Sequence, residues 1–235
     1  MPHLPLTLTS AARHAMDRLA ADLTRVLGPR LVSVVAYSPT RAAAFADRVT
    51  ADDLQGLAPL VDRWHQEGLE TPLLLTPEEF KRSLDAFPLE YEAMLDRHVV
   101  IAGTPPFADV HPSDVDLRRA CEVQAQSFLI HLRQGWLQAA DHHEEQEAML
   151  IQSAAPLRAL LVNVAHLRNV RPEDDAALVT FGEQQVGLPA ETLRAILALE
   201  RHPEQSVVLI SAPEFMNAYL LAAETLWAFV DKWRS

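Results

Sequence analysis

Cysteine, lysine and long apolar runs are nearly missing from this chain. Cys121 is the sole cysteine, so no intrachain disulfide and no cysteine-rich zinc site can form. At helical spacing it is expected to be a small buried hydrophobe. Lys81 and Lys232 are the only lysines; the other basic residues are arginines, and none of them cluster in a run. Basic residues number 20 against 32 acidic ones, a formal charge of -12, which works against nonspecific nucleic-acid binding. No run of about 18 apolar residues occurs, so no membrane span is expected. No basic stretch followed by an apolar one opens the chain, so no signal peptide is expected, and the cytoplasm is the expected location. A Gly-rich phosphate loop, a Gly-x-Ser-x-Gly elbow and a His-Glu-x-x-His motif are all absent.

The 235 residues are 49% apolar and 22% charged, enough to build a sizeable core. Heavy Ala, Leu and Arg usage resembles a GC-rich bacterial composition. The pattern changes near residue 110, giving an α+β domain over 1–110 and an all-α domain over 111–235.

In the first domain Ser10 is a candidate cap for a helix over 11–27, with Met16, Leu19, Leu23 and Leu27 on its apolar stripe. Gly28-Pro29 stops it. Strands are expected over 31–37, 42–49 and 71–75. Thr50 and Thr76 cap helices at 51–66 and from 77, each with acids in its first turn. Residues 88–95 and 98–102 read as two further strands meeting at Asp96-Arg97. The order fits a mixed sheet covered by helices.

The second domain reads as helices over 114–140, 144–169, 173–186, 190–200 and 213–233, a bundle of four or five. Val207–Ile210 (207–210) is a short β-branched interruption. Ser113-Asp114-Val115-Asp116 reads as a helix start with acids favoured by the macrodipole. Asp141-His142-His143-Glu144-Glu145-Gln146-Glu147 holds potential metal ligands but reads as a solvated loop, and no metal site is expected. Trp64, Trp136, Trp227, Phe215, Tyr219 and Phe229 read as core.

The site-bearing spot is Tyr37-Ser38-Pro39, where the apolar strand Leu31-Val32-Ser33-Val34-Val35-Ala36-Tyr37 ends in a serine. Two further stretches go with it. One is Leu73-Leu74-Leu75-Thr76-Pro77-Glu78-Glu79-Phe80 with Ser83-Leu84-Asp85-Ala86-Phe87-Pro88-Leu89-Glu90-Tyr91. The other is Leu132-Arg133-Gln134-Gly135-Trp136-Leu137. On these stretches the chain, from about residue 25 to its end, resembles a bacterial branch of the nucleotidyltransferase superfamily with a helical C-terminal domain. The resemblance implies a metal-dependent transferase fold, in which two or three carboxylates hold two divalent ions and a nucleoside triphosphate. A Gly-Ser turn and an Asp-x-Asp on the next strand belong to that pattern.

Both are missing here. Ala36-Tyr37 precedes Ser38, and Ala42-Ala43-Ala44-Phe45-Ala46 occupies the strand that would carry the acidic pair. Ser38, Asp47 and Glu90 are the remaining weak catalytic candidates. The leading expectation is an inactive homologue that binds a ligand or a protein and needs no cofactor. One alternative is a divergent transferase using Mg2+ and a nucleoside triphosphate, with a site rebuilt from Asp47, Asp52, Asp53 and Glu90. Another is a helical, antitoxin-like interaction protein. A homodimer through the helical half is expected, because the last helix carries Trp227 and Trp233 on a very apolar stretch.

Overall fold

The computed structural model describes residues 6–108, 110–139, 142–201 and 213–233. The chain divides into two compact units, Met1–Ser113 and Asp114–Ser235. The first is a four-stranded mixed sheet with helices, and the second is helical.

The first unit opens with α1 (Ser10–Leu27). Thr9, one residue before the expected cap, accepts the Ala12 N–H on its hydroxyl (3.2 Å) and starts the helix. Strand β1 (Leu31–Ala36) and strand β2 (Ala42–Ala46) form an antiparallel hairpin. Helices α2 (Ala51–Leu57) and α3 (Val61–Gln66) follow, parted by a 3-10 turn at Pro59 where one continuous helix was expected. Strand β3 (Leu73–Leu75) joins β2 in parallel, and α4 (Pro77–Arg82) leaves it. The Thr50 and Thr76 caps both form full capping boxes, with Asp53 and Glu79 returning to the cap backbone.

Residues 88–95, expected as a strand, are helical: α5 spans Pro88–Asp96. The stretch has no β-branched residue, starts on a proline and places Tyr91, Met94 and Leu95 at helical spacing, all three buried. Strand β4 (Val99–Gly103) then pairs with β1, and the sheet order is β3-β2-β1-β4. Gly103 has φ +70, and a Cβ there would stand 2.0 Å from the Val32 carbonyl oxygen, so the strand end requires glycine.

The sheet's two faces build two cores. Val34, Ala36, Ala42, Ala44 and Ala46 face Met16, Leu19, Leu23 and Leu27 of α1 together with Trp64. The alanines leave room for α1 to lie close on the strands. Val35, Ala43 and Phe45 face Phe80, Tyr91, Met94 and Leu95.

The helical unit comprises α6 (Asp114–Gln138), α7 (His143–Leu167), α8 (Asp175–Phe181) running into a π turn (Gly182–Val186), α9 (Ala190–Arg201) and α10 (Pro213–Lys232). Residues 207–210 lie outside the described set. Ser153 of α7 meets Tyr219 of α10, and Arg168 lies over Trp233, so α10 runs alongside α7 in the same direction. Gly135 of α6 faces Met149 and Gln124 bonds Asn163, so α6 runs opposite to both. The last helix buries Met216, Tyr219, Ala223, Leu226 and Val230 at alternating intervals of three and four, a bundle seam. α7 is long and apolar enough to cross a membrane by length and composition; Leu150, Leu157, Leu160, Leu161 and Val164 bury into the bundle.

Candidate functional site at the hairpin end

Chain connectivity puts Ser38 in the five-residue turn between β1 and β2. The turn closes by Tyr37 N–H donating to Arg41 O (3.1 Å). Ser38 Oγ accepts the backbone N–H groups of Thr40 (3.2 Å) and Arg41 (2.9 Å). The hydroxyl therefore shapes the turn, the local role short hydroxylic side chains commonly play.

The neighbouring strand end comes to meet this turn. Because β3 pairs in parallel with β2, the loop ahead of β3 lies beside the start of β2. Glu70 N–H donates to Thr40 O (2.8 Å) and fixes that approach. Glu70 Oε1 accepts from Thr40 Oγ1 (3.2 Å), and both its oxygens accept from Arg41 Nε (2.9 Å each). The Arg41 guanidinium holds the Glu70 carboxyl below its ordinary value, so Glu70 is ionised and paired. His65 Nε2 stands 3.1 Å from Thr71 Oγ1. Thr40, His65, Gly68, Leu69, Glu70 and Thr71 line an open groove of about 540 Å³, with buried Leu69 anchoring its wall. Burial raises the Tyr37 phenol above its ordinary value beside it.

Asp47 lies at the other end of the hairpin. Its N–H donates to Arg30 O (2.9 Å), next to the first residue of β1. A five-residue strand separates it from the Ser38 turn, roughly 15 Å at strand rise. Asp52 is an exposed first-turn residue of α2. Asp53 is spoken for: it accepts the Thr50 N–H (2.8 Å) and hydroxyl (2.7 Å) and takes Arg30 bidentately (2.7 and 2.6 Å). These bonds, Arg30's first, hold its carboxyl far below the ordinary carboxylate range. Glu90 is exposed in the first turn of α5.

Comparison with protein-family models, curated proteins and solved structures finds no match.

The sheet face between these positions is filled. Phe45 and Phe80 stack edge-to-face at 5.4 Å, Phe80 and Tyr91 at 4.8 Å, and Phe45 and Phe107 at 5.6 Å. Two divalent ions about 4 Å apart need carboxylates converging on one point. Ser38 and Asp47 lie at opposite ends of β2 and Asp53 is taken by Arg30, so these residues do not converge on a Mg2+–triphosphate clamp. Among the described residues no group of three His, Cys, Asp or Glu is placed to hold a metal. His143 starts α7 with Glu144 and Glu145 in its first turn, while Asp141 lies outside the described residues. His166 is half-buried near the end of α7, and its carbonyl accepts from Arg171 (3.2 Å). Cys121 is fully buried, and burial pushes its thiol up to about 12, which leaves it an inert packing residue.

Sequence reasoning missed Thr40, Arg41, His65, Glu70 and Thr71. Glu70 is 29 residues from Arg41, and only the β2–β3 pairing brings them together. No local spacing carries that signal.

Proposed function

We propose that this chain is a catalytically inactive nucleotidyltransferase homologue that acts as a binding module. The groove at the hairpin end is its seat for a small polar ligand. The observation that carries the reading is the fate of the candidate catalytic groups. Ser38 Oγ is held by two backbone N–H groups of its own turn, and Asp47 sits at the far end of the same hairpin. A nucleophile or metal ligand must instead point at a shared reacting centre. The groove offers hydroxyls from Thr40 and Thr71 and the His65 imidazole. Its one carboxylate is neutralised by Arg41, so the seat suits a neutral, hydroxyl-bearing molecule.

Two measurements test this. Incubation with ATP and Mg2+ is expected to transfer no nucleotide to protein, RNA or small acceptors. Transfer abolished by Ser38→Ala or Glu90→Ala would replace this reading with the divergent transferase. Neutral nucleosides and polyols at millimolar concentration are expected to move the amide resonances of Thr40, Gly68, Glu70 and Thr71. Binding that shifts only resonances elsewhere contradicts the assigned seat.

A further inference from the structure

The hydroxyls at the hairpin end have a direction. Ser38 Oγ accepts the backbone N–H groups of Thr40 and Arg41, and its own hydrogen is left for the 3.4 Å contact with Thr40 Oγ1. Thr40 cannot be the donor in that contact, because it has a single hydroxyl hydrogen and gives it to Glu70 Oε1 (3.2 Å). The relay therefore runs from Ser38 to Thr40 to Glu70. Charge fixes its end: Arg41 Nε donates to both Glu70 oxygens and keeps the carboxylate ionised.

Every hydrogen of this relay is used, and lone pairs are left over. A carboxylate has about four acceptor sites. Thr40 and Arg41 both bond Oε1, while Oε2 takes Arg41 alone and retains a site. Thr40 Oγ1 donates to Glu70, accepts from Ser38 and retains one as well. The groove's backbone adds few donors. The N–H groups of Thr40, Gly68, Leu69 and Glu70, all on the lining, go to Ser38 Oγ, His65 O (3.0 Å), Trp64 O (2.9 Å) and Thr40 O. His65 and Thr71 are the adaptable pair, since an imidazole nitrogen and a hydroxyl can exchange donor and acceptor roles.

We propose that Thr40 Oγ1 and Glu70 Oε2 read a vicinal diol, so that the ligand of this groove is a sugar or sugar-bearing molecule whose two adjacent hydroxyls both donate. This rests on the groove being the ligand seat and names what that seat recognises. Neighbouring acceptors match donors on neighbouring carbons. Inorganic phosphate brings lone pairs against lone pairs, and Arg41 lies outside the lining. An ammonium meets a carboxylate whose charge Arg41 already compensates, so it gives up hydration for little Coulomb gain. An uncharged diol loses least on leaving water.

The amide resonances of Thr40, Glu70 and Thr71 in the full chain are followed against adenosine, which carries a cis diol, and 2′-deoxyadenosine, which lacks one of its hydroxyls. Adenosine is expected to bind about three- to tenfold more tightly, the worth of one net hydrogen bond. Thr40→Val keeps the side-chain shape and removes the middle oxygen of the relay; it is expected to bring the two nucleosides to equal affinity, while Thr40→Ser keeps the preference. Ethylammonium and inorganic phosphate at the same concentration are expected to leave these amides in place. Equal affinity for the two nucleosides in the parent chain overturns the diol reading and leaves the groove as a seat. No shift at these amides with either nucleoside removes the seat and the diol reading together. A Thr40→Val chain that still prefers adenosine, or ethylammonium or phosphate that shifts these amides more than adenosine does, overturns the diol reading as well.

Discussion

The two units hold themselves together by different means. In the sheet unit the tightest fixtures are polar and buried. Asp22 of α1, 6% exposed, accepts the Trp64 indole N–H (3.0 Å) and guanidinium bonds from Arg63 and Arg25. That one carboxylate ties α1 to α3. Asp53 does the same between the start of β1 and the start of α2 through Arg30. The helical unit has no fully buried carboxylate among its described residues: Asp175 of α8, which takes Arg158 of α7 and Arg201 of α9, is 22% exposed, the buried polar side chain is Gln146, and the core is mostly leucine, alanine and valine. The Tyr219 hydroxyl, 2.9 Å from Ser153 Oγ, is a polar contact in that core. A sheet sandwiched between helices must fix the register and angle of short elements, and directional bonds do that. Long helices fix their own geometry and need mainly matched apolar faces.

The largest expected effect that would break this contrast lies in the aromatic cluster. Phe80 is fully buried and touches Phe45, Tyr91 and Phe107. Phe80→Ala is expected to destabilise the sheet unit by about 3–5 kcal/mol, seen as faster hydrogen exchange over β1, β2 and α5. Unchanged exchange there would mean that the cluster does not hold that face.

Next in size is the Asp22 fixture. Asp22→Ala strands a buried indole N–H and is expected to cost about 2–3 kcal/mol, read as a lower denaturation midpoint for α1 and α3. Helix propensity works in the opposite direction, since alanine is the better helix former. A neutral or stabilising result would show that packing alone holds α1.

The pH response sharpens the contrast. Burial raises the Asp22 carboxyl, but the bonds from Trp64 and Arg63 and the charges of Arg63 and Arg25 outweigh it and leave the net shift downward. Asp53 shifts down as well, by its bonds to Arg30 and Thr50. A lowered folded value means that the stabilisation is fully present above the ordinary carboxylate value of about 4. It is lost as pH falls from there through the folded value. The Tm of the sheet unit is expected to hold between pH 7 and 5 and to drop below about pH 4, and Asp53→Asn is expected to flatten that acid limb. An unaltered acid limb in Asp53→Asn would exclude the Arg30 pair as its source.

The smallest effect is in the helical unit. Burial raises the Tyr219 phenol well above its ordinary value, and Ser153 partly offsets this. Tyr219→Phe is expected to cost about 1 kcal/mol, because Ser153 Oγ keeps its bond to Leu150 O (2.8 Å). A loss as large as that of Asp22→Ala would erase the difference between the units.

How much of this was legible in the sequence follows the same division. The helical unit declared itself through 3.6-residue periodicity, and its breaks at Arg171-Pro172 and Gly187-Leu188-Pro189 fall between described helices. Thr50 and Thr76 were legible as caps followed by acids, and the structure adds that Asp53 and Glu79 return to the cap backbone to complete capping boxes. Residues 88–95 misled because a short run with both polar and apolar residues fits either period; the absence of β-branched residues was the available signal. The groove was illegible for a topological reason. Glu70 meets Arg41, and His65 meets Thr71, only after β3 has been laid parallel to β2. The alanines Ala42, Ala44 and Ala46 of β2 have a packing role that shows only when α1 is seen resting on them.

The central claim is that Ser38 and Asp47 stand at opposite ends of the hairpin, so that Ser38, Asp47 and Glu90 cannot share one metal-binding centre. Titration of the full chain with Mn2+, with and without a non-hydrolysable triphosphate, reads this directly through the electron-spin resonance of free Mn2+. No saturable site is expected, and Asp47→Asn and Glu90→Gln are expected to titrate like the parent chain. Stoichiometric Mn2+ uptake that the triphosphate strengthens and either substitution removes would contradict the account.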